Sequence, residues 1–325
     1  MEAFTIIEQI RPDLFKLEIP LPNNPLRALN SYIIKSDDRN LIIDTGMNRP
    51  ECLEAMLNGL KELNIDLEKT DLFITHMHSD HSGNISNLVR ENTKVYTHKT
   101  DAKIISKGDD WQYLLDSAIL NGFPADEDAI GKHPGFKYRN DNYDKFTHIE
   151  DQDVIKVGDY NLTCIHTPGH TKGHMCLYEA DKKILISGDH ILYRITPNIS
   201  IWTDEYDALA DYIKYLKKVG ELEVDLVLPA HRVTFTDLKG RIAELIEHHD
   251  KRLKEIIIIL KDGSLNGYEV ARRMKWDLTY KDFDQFPTPQ KWFATGEALA
   301  HLKYLEGKGK VKKEKVKNHI VYSLV

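Results

Sequence analysis

Four apolar runs in this 325-residue chain end in histidine or aspartate, and few folds can use all four endings at once. "DLFI" leads into "THMHSDH" at residues 75–81, "LTCI" into "HTPGHTKGH" at 166–174, "KILI" into "SGDH" at 187–190, and "DLVL" into "PAHR" at 229–232. Imidazole nitrogen and carboxylate oxygen are ligand atoms that zinc takes. Packed together without a cation, these groups would need other partners. The pattern calls for a fold that brings several strand ends to one edge.

The rest of the chain is consistent with such a fold. Short runs rich in Val, Ile, Tyr and Thr, such as "SYIIKS", "NLIIDT", "KVYTH" and "MCLYEA", read as strands bounded by turn residues. Helical patterns lie between them at 50–63 and 205–219, where Leu209, Ile213, Leu216 and Val219 share one face. Strands interleaved with helices predict an α/β sandwich of two sheets. Residues 101–146 interrupt the rhythm: "DWQYLLDSAILNGFPADEDAI" reads as a helix, a Gly-Phe-Pro turn and a second helix start. An insertion of that length suits a lid or pocket wall.

From about residue 241 the texture changes. One long helix stopped by Gly263 is followed by helices in "GYEVARRMKW" and "TGEALAHLKYLEGKG", then by two strands around a lysine-rich turn. That order predicts a winged-helix-like module over 246–325 after a catalytic domain over 1–245. Segment 253–260 is mostly Ile and Leu, more than an exposed helix carries, so much of it is expected to be buried.

Hydrophobic residues at 41% and charged ones at 29% are ordinary for a globular protein with a real core. No apolar run reaches the ~20 residues a membrane span needs, and the polar-interrupted start "MEAFTIIEQIRPDLF" does not read as a secretory signal. Three cysteines, Cys52, Cys164 and Cys176, make no disulfide framework, so a cytoplasmic setting is expected. The net charge of −7 is uneven: residues 246–325 carry 16 Lys and Arg against 11 Asp and Glu, leaving 28 against 40 in the remainder. A basic module on an acidic body can signal a nucleic-acid contact or simply two solvated surfaces.

An extended His76-x-His78 would aim two imidazoles the same way. Turn-forming Ser82, Gly83 and Asn84 would swing Asp80 and His81 toward a second position. In order, "THMHSDH", "TPGHTKGH", "SGDH" and "PAHR" resemble the signature of the metallo-β-lactamase fold hydrolase superfamily, over roughly residues 10–235. The resemblance implies an αββα sandwich with a two-metal site at one edge. His76, His78 and His170 would hold one Zn2+, Asp80, His81 and His231 the other, and Asp189 would bridge both. His166 and His174 would support these ligands, while His98, His148, His190 and His301 gain no role. Relatives that use iron for redox chemistry tend to carry Glu where this chain has His78, which favours zinc among the divalent metals. "SGDH" departs from the lactamase subclass that has a Cys in that region.

Two cations ~3.5–4 Å apart can share a water and make hydroxide available at neutral pH. Asp80 would orient that water or receive its proton. A dinuclear zinc hydrolase for a small ester, thioester or lactone is therefore expected, with the Tyr193 hydroxyl, four residues beyond Asp189, reaching the substrate oxyanion. Trp111, Tyr113, Phe123, Tyr193 and Trp202 would suit an apolar acyl group and would equally stack single-stranded bases. The C-terminal module resembles that of lactamase-β-type endoribonucleases. With Lys308, Lys310, Lys312, Lys313, Lys315 and Lys317 it makes single-stranded RNA a candidate partner and an endoribonuclease or phosphodiesterase the second reading. A third reading is a non-catalytic metal-binding regulator, against which the complete ligand set weighs. Beyond the small-molecule substrate, a second copy of the chain is the other candidate partner.

Overall fold

The computed structural model describes residues 6–108, 111–124, 131, 133–140, 143–202, 204, 206–277 and 280–325. One sheet runs in chain order: β1 (Ile6–Arg11), β2 (Leu14–Pro20), β3 (Ala28–Ile34), β4 (Asn40–Ile43), β5 (Thr70–Phe73), β6 (Val95–His98) and β7 (Phe146–Ile149). Strands β1 to β4 form an antiparallel meander, and β4 to β7 pair in parallel. The second sheet contains β8 (Val154–Val157), β9 (Tyr160–His166), β10 (Met175–Glu179), β11 (Ile184–Gly188) and β12 (Leu226–Pro229). Its last pair, β11 with β12, is parallel. Helices are α1 (Pro50–Glu62), α2 (Ser79–Ser82), α3 (Ile85–Leu88), α4 (Lys99–Lys107), α5 (Trp111–Leu120), α6 (Pro134–Lys137), α7 (Ala208–Val219), α8 (Leu238–Ile259), α9 (Gly267–Arg273) and α10 (Thr288–Gly307). A hairpin, β13 (Val311–Val316) and β14 (His319–Leu324), closes the chain.

Several strands are apolar on both faces because each sheet is covered twice. Tyr32, Ile34, Ile43 and Phe73 meet Leu162, Cys164, Leu177 and Leu228 between the sheets. The alternate residues Ile33, Ile42 and Leu72 pack outward with Cys52, Met56 and Leu60 of α1, which starts at Pro50. On the far side, Ile165, Cys176, Leu185 and Val227 pack with Leu209, Tyr212 and Leu216 of α7. These layers make the αββα sandwich.

The same outer cluster continues without a break into Leu253, Ile256, Leu260, Ala298, Leu302 and Tyr322. Of the 253–260 run only Ile258 is an exposed hydrophobic, at 63%. Helix, helix, helix and hairpin follow one another as the sequence predicts. In the insertion, α4 stands ahead of the expected helix α5, and the helix start expected over 125–130 lies outside the described residues. Among the described residues no helix is long and apolar enough to cross a membrane.

Candidate metal centre

Each motif sits just past a strand. His76 and His78 follow β5, His170 lies between β9 and β10, Asp189 follows β11 and His231 follows β12. The sequence expectation of an extended His-x-His is corrected here: residues 75–78 bend. The bend is held because Asp101 Oδ2 accepts from the Met77 N–H at 2.9 Å, and Ser82 Oγ donates to the Met77 and His78 carbonyls, both at 3.0 Å. The chain then enters the single turn α2, which carries Asp80 and His81. Gly83 ends that turn where a Cβ would lie 2.4 Å from Asn48 N and 2.8 Å from Gly46 O. Gly83→Ala should therefore cost about 1–3 kcal/mol of stability; an unchanged denaturant midpoint would show that the turn has more room than this packing allows.

Three ligand sets converge within 4.8 Å: His76, His78 and His170; Asp80, His81 and His231; and His76, His81 and Asp189. In the first, His78 Nδ1 stands 3.0 Å from His76 Nε2 and 3.0 Å from His170 Nε2. In the second, His231 Nε2 is 3.4 Å and His81 Nε2 3.8 Å from Asp80 Oδ2. Asp189 faces both: its Oδ2 is 3.5 Å from His170 Nε2, and its Oδ1 is 3.5 Å from His231 Nε2 and 3.7 Å from His81 Nε2. His81 Nε2, His231 Nε2 and Asp189 Oδ1 are buried without a hydrogen-bond partner. Orphaned buried atoms of this kind are costly, and shared cations answer all three.

The outward ring nitrogens show that the lone pairs are aimed. His81 Nδ1 donates to Asp44 Oδ2 at 2.7 Å, His170 Nδ1 to the Asn198 carbonyl at 2.7 Å and His231 Nδ1 to the Ala28 carbonyl at 2.8 Å. Each of these bonds leaves Nε2 facing the centre, the arrangement metal-binding histidines use. Sequence reasoning missed Asp44, which also accepts from the Thr75 N–H at 2.8 Å and adopts φ 63° at the end of β4. It also missed Asp101, which accepts from Thr171 Oγ1 and from the Gly173 N–H. The signal was present for Asp44, since "LIIDT" is one more apolar strand ending in a carboxylate. His174 accepts from the Asp189 N–H at 3.1 Å and is bonded to Thr167 Oγ1, so it holds the backbone at Asp189. His166 stacks on His98 at 4.4 Å.

The two halves differ in charge. Burial, followed by neighbouring imidazoles, drives His76 and His78 well below the usual histidine range, and burial lowers His170 too. Burial opposes charge on His81 as well, but Asp44, Asp80 and Asp189 outweigh it and hold its pKa at about 10. His231 is likewise raised: burial works against it, and Asp189 and Asp80 prevail. At neutral pH the metal-free chain thus carries on His81 a proton that a cation must displace, while burial disfavours charge on the His78 side. Metal uptake at pH 7 should release about one to two protons, and affinity should fall as pH falls below the raised pKa values. Calorimetry in two buffers of different ionisation enthalpy measures this; heats independent of buffer would contradict it.

Tyr193 is not brought into this cluster. Its ring stacks on Phe235 at 5.1 Å, with Arg194 over it. Tyr113 is half exposed. Trp111, Phe123 and Trp202 instead join a wall with His133, Trp292 and Phe293: His133 lies 4.9 Å from Trp111 and 5.1 Å from Phe293, and Trp202 lies 4.1 Å from Trp292. The segments that carry this wall are tied to the neighbourhood of the ligand sets at two points. Ser79 Oγ donates to the Pro134 carbonyl at 3.3 Å, and Asn198 Nδ2 donates to the Phe293 carbonyl at 3.4 Å.

Comparison with known proteins agrees with the geometry. The human acyl-coenzyme A thioesterase MBLAC2 is 30% identical over 224 residues, covering 63% of this chain and 74% of that protein. The atrochrysone carboxyl ACP thioesterase of Emericella nidulans is 25% identical over 254 residues, 78% of this chain and 66% of that protein. Among solved structures, a metallo-beta-lactamase family protein of Thermus thermophilus superposes with a TM-score of 0.80 at 23% identity, over 98% of this chain and 100% of that one. A beta-lactamase domain protein of Burkholderia ambifaria gives 0.82 at 24% identity, over 98% and 94%. The sequence profile of the metallo-beta-lactamase superfamily matches residues 25–231, and the chain belongs to that superfamily.

Proposed function

We propose that this chain is a dinuclear zinc hydrolase that cleaves acyl thioesters. The observation that carries the reading is the pair of ligand sets facing each other across Asp189. His76, His78 and His170 would hold one cation and Asp80, His81 and His231 the other. When bound, such a pair polarises a carbonyl and lowers the pKa of water. All-nitrogen and nitrogen-carboxylate sets suit zinc.

The side chains supply the rest. Burial alone would raise the Asp80 pKa, but His81 and His231 hold it far below the usual carboxylate range, so Asp80 is ionised at neutral pH. It accepts the proton as water oxygen bonds to the acyl carbon. The acyl–sulfur bond then breaks, and the proton passes to the departing thiolate. The aromatic cluster of Trp111, His133, Phe293, Trp202 and Trp292 would give an acyl chain apolar side chains to pack against. Relatives named as thioesterases act on acyl groups carried by coenzyme A or a carrier protein, which favours thioesters over lactones and simple esters. The RNA reading has less support, since Lys312 pairs with Glu314 and Lys313 with Asp204. A panel of acyl thioesters, oxygen esters, lactones, β-lactams, aryl phosphodiesters and single-stranded RNA tests the proposal. Thioesters should turn over fastest; cleavage of RNA or phosphodiester with none of thioester would reverse it.

A further inference from the structure

His170, a ligand in the reading above, is held by a segment that has no regular structure of its own. Residues 189–207, between β11 and α7, contain no described helix or strand, yet the Asn198 carbonyl accepts from His170 Nδ1 at 2.7 Å. What fixes Asn198 is the C-terminal helix α10. Asn198 Nδ2 donates to Glu297 Oε2 at 3.3 Å and to the Phe293 carbonyl at 3.4 Å. Three residues on, the Ile201 N–H donates to the Gly296 carbonyl at 3.2 Å. Gly296 permits this approach, because a Cβ there would lie 2.8 Å from Ser200 Cβ and 3.2 Å from Trp202 Nε1.

Glu297 is itself fixed. Its Oε1 is 3.5 Å from Nε of the largely buried Arg252, whose guanidinium bonds the Lys275 carbonyl and Glu255 and lies 4.2 Å from the Trp276 ring. The Glu297 carbonyl accepts from His301 Nδ1 at 2.8 Å. A chain of direct contacts therefore runs from Arg252 in α8 through Glu297 and Asn198 to His170.

We propose that Glu297 is a positioning residue for the His76, His78 and His170 cation, acting through Asn198, so that the C-terminal helices complete the metal centre. A carbonyl free to wander would let the imidazole turn and would misdirect Nε2. Removing such an outer partner typically costs ~10–100-fold in metal affinity. The inference rests on the two-cation reading above, and its test separates the two.

The experiment is titration of the full-length metal-free protein with Co2+ against a competing chelator, followed by visible absorption, with His170→Ala identifying the signal of the first site. Glu297→Leu and Asn198→Ala are expected to weaken uptake at that site by ~10–100-fold and leave the Asp80 site unchanged. Glu297→Gln, which keeps an acceptor for Asn198 Nδ2, should restore most of the affinity. Asn198→Ala leaves the Arg252 and Glu297 pair intact, so it reports even if Glu297→Leu fails to fold. Wild-type affinity and spectrum in Asn198→Ala, while His170→Ala loses the first site, would overturn the inference and leave the two-cation reading standing. No Co2+ uptake by the wild type would overturn both.

Discussion

Asp80→Asn is expected to lower turnover of an acyl thioester by about three orders of magnitude while leaving the fold intact by circular dichroism. The amide matches the carboxylate in shape, so the turn α2 and its bonds to Met77 and His78 are kept. What is lost is a negative charge that His81 and His231 both face, at 3.8 and 3.4 Å. An amide binds a cation weakly and accepts no proton from water. A measured kcat within tenfold of the wild type would show that the proton goes elsewhere. A large rise in KM with unchanged kcat would assign Asp80 to binding alone.

Asp189→Ala is expected to have the second largest effect, because its two oxygens face different ligand sets. Removing an outer partner of a ligand costs ~10–100-fold in affinity, and losing a carboxylate that faces both cations should exceed ~100-fold for the pair. The bound metal should fall from two equivalents to one or fewer. Activity should fall with it, and added metal should restore it only in part. The variant also leaves His81 and His231 with less negative charge beside them, so their raised pKa values should drop toward the ordinary range. Two tightly held equivalents in Asp189→Ala would mean that the two triads bind independently of the bridge.

Much of this was legible in the sequence. The strand-end motifs pointed to the residues that the fold brings together, because histidine and aspartate rarely recur after apolar strands without a shared purpose, and their order matched a known signature. The helix, helix, helix and hairpin order at the end could be read from pattern, and the burial of Leu253, Ile256 and Leu260 from the Ile and Leu content of the segment. What escaped was set by tertiary contact. Asp44 and Asp101 lie 37 and 24 residues from the groups they hold, and nothing local marks their targets. Asn198 acts through its backbone carbonyl, which carries no residue signature. The expected strand geometry for His76 and His78 failed because Asp101 and Ser82 bond the backbone around Met77 into a bend. Tyr193, near Asp189 in sequence, stacks its ring on Phe235.

Five histidines and two aspartates are proposed to hold two cations. Elemental analysis of protein purified without chelator, and of the same protein after zinc supplementation and desalting, addresses this directly. Close to two equivalents per chain are predicted for the wild type, and one or fewer for His76→Ala combined with His78→Ala. A wild-type value near zero after supplementation, in a protein whose fold is intact by circular dichroism, would contradict the account.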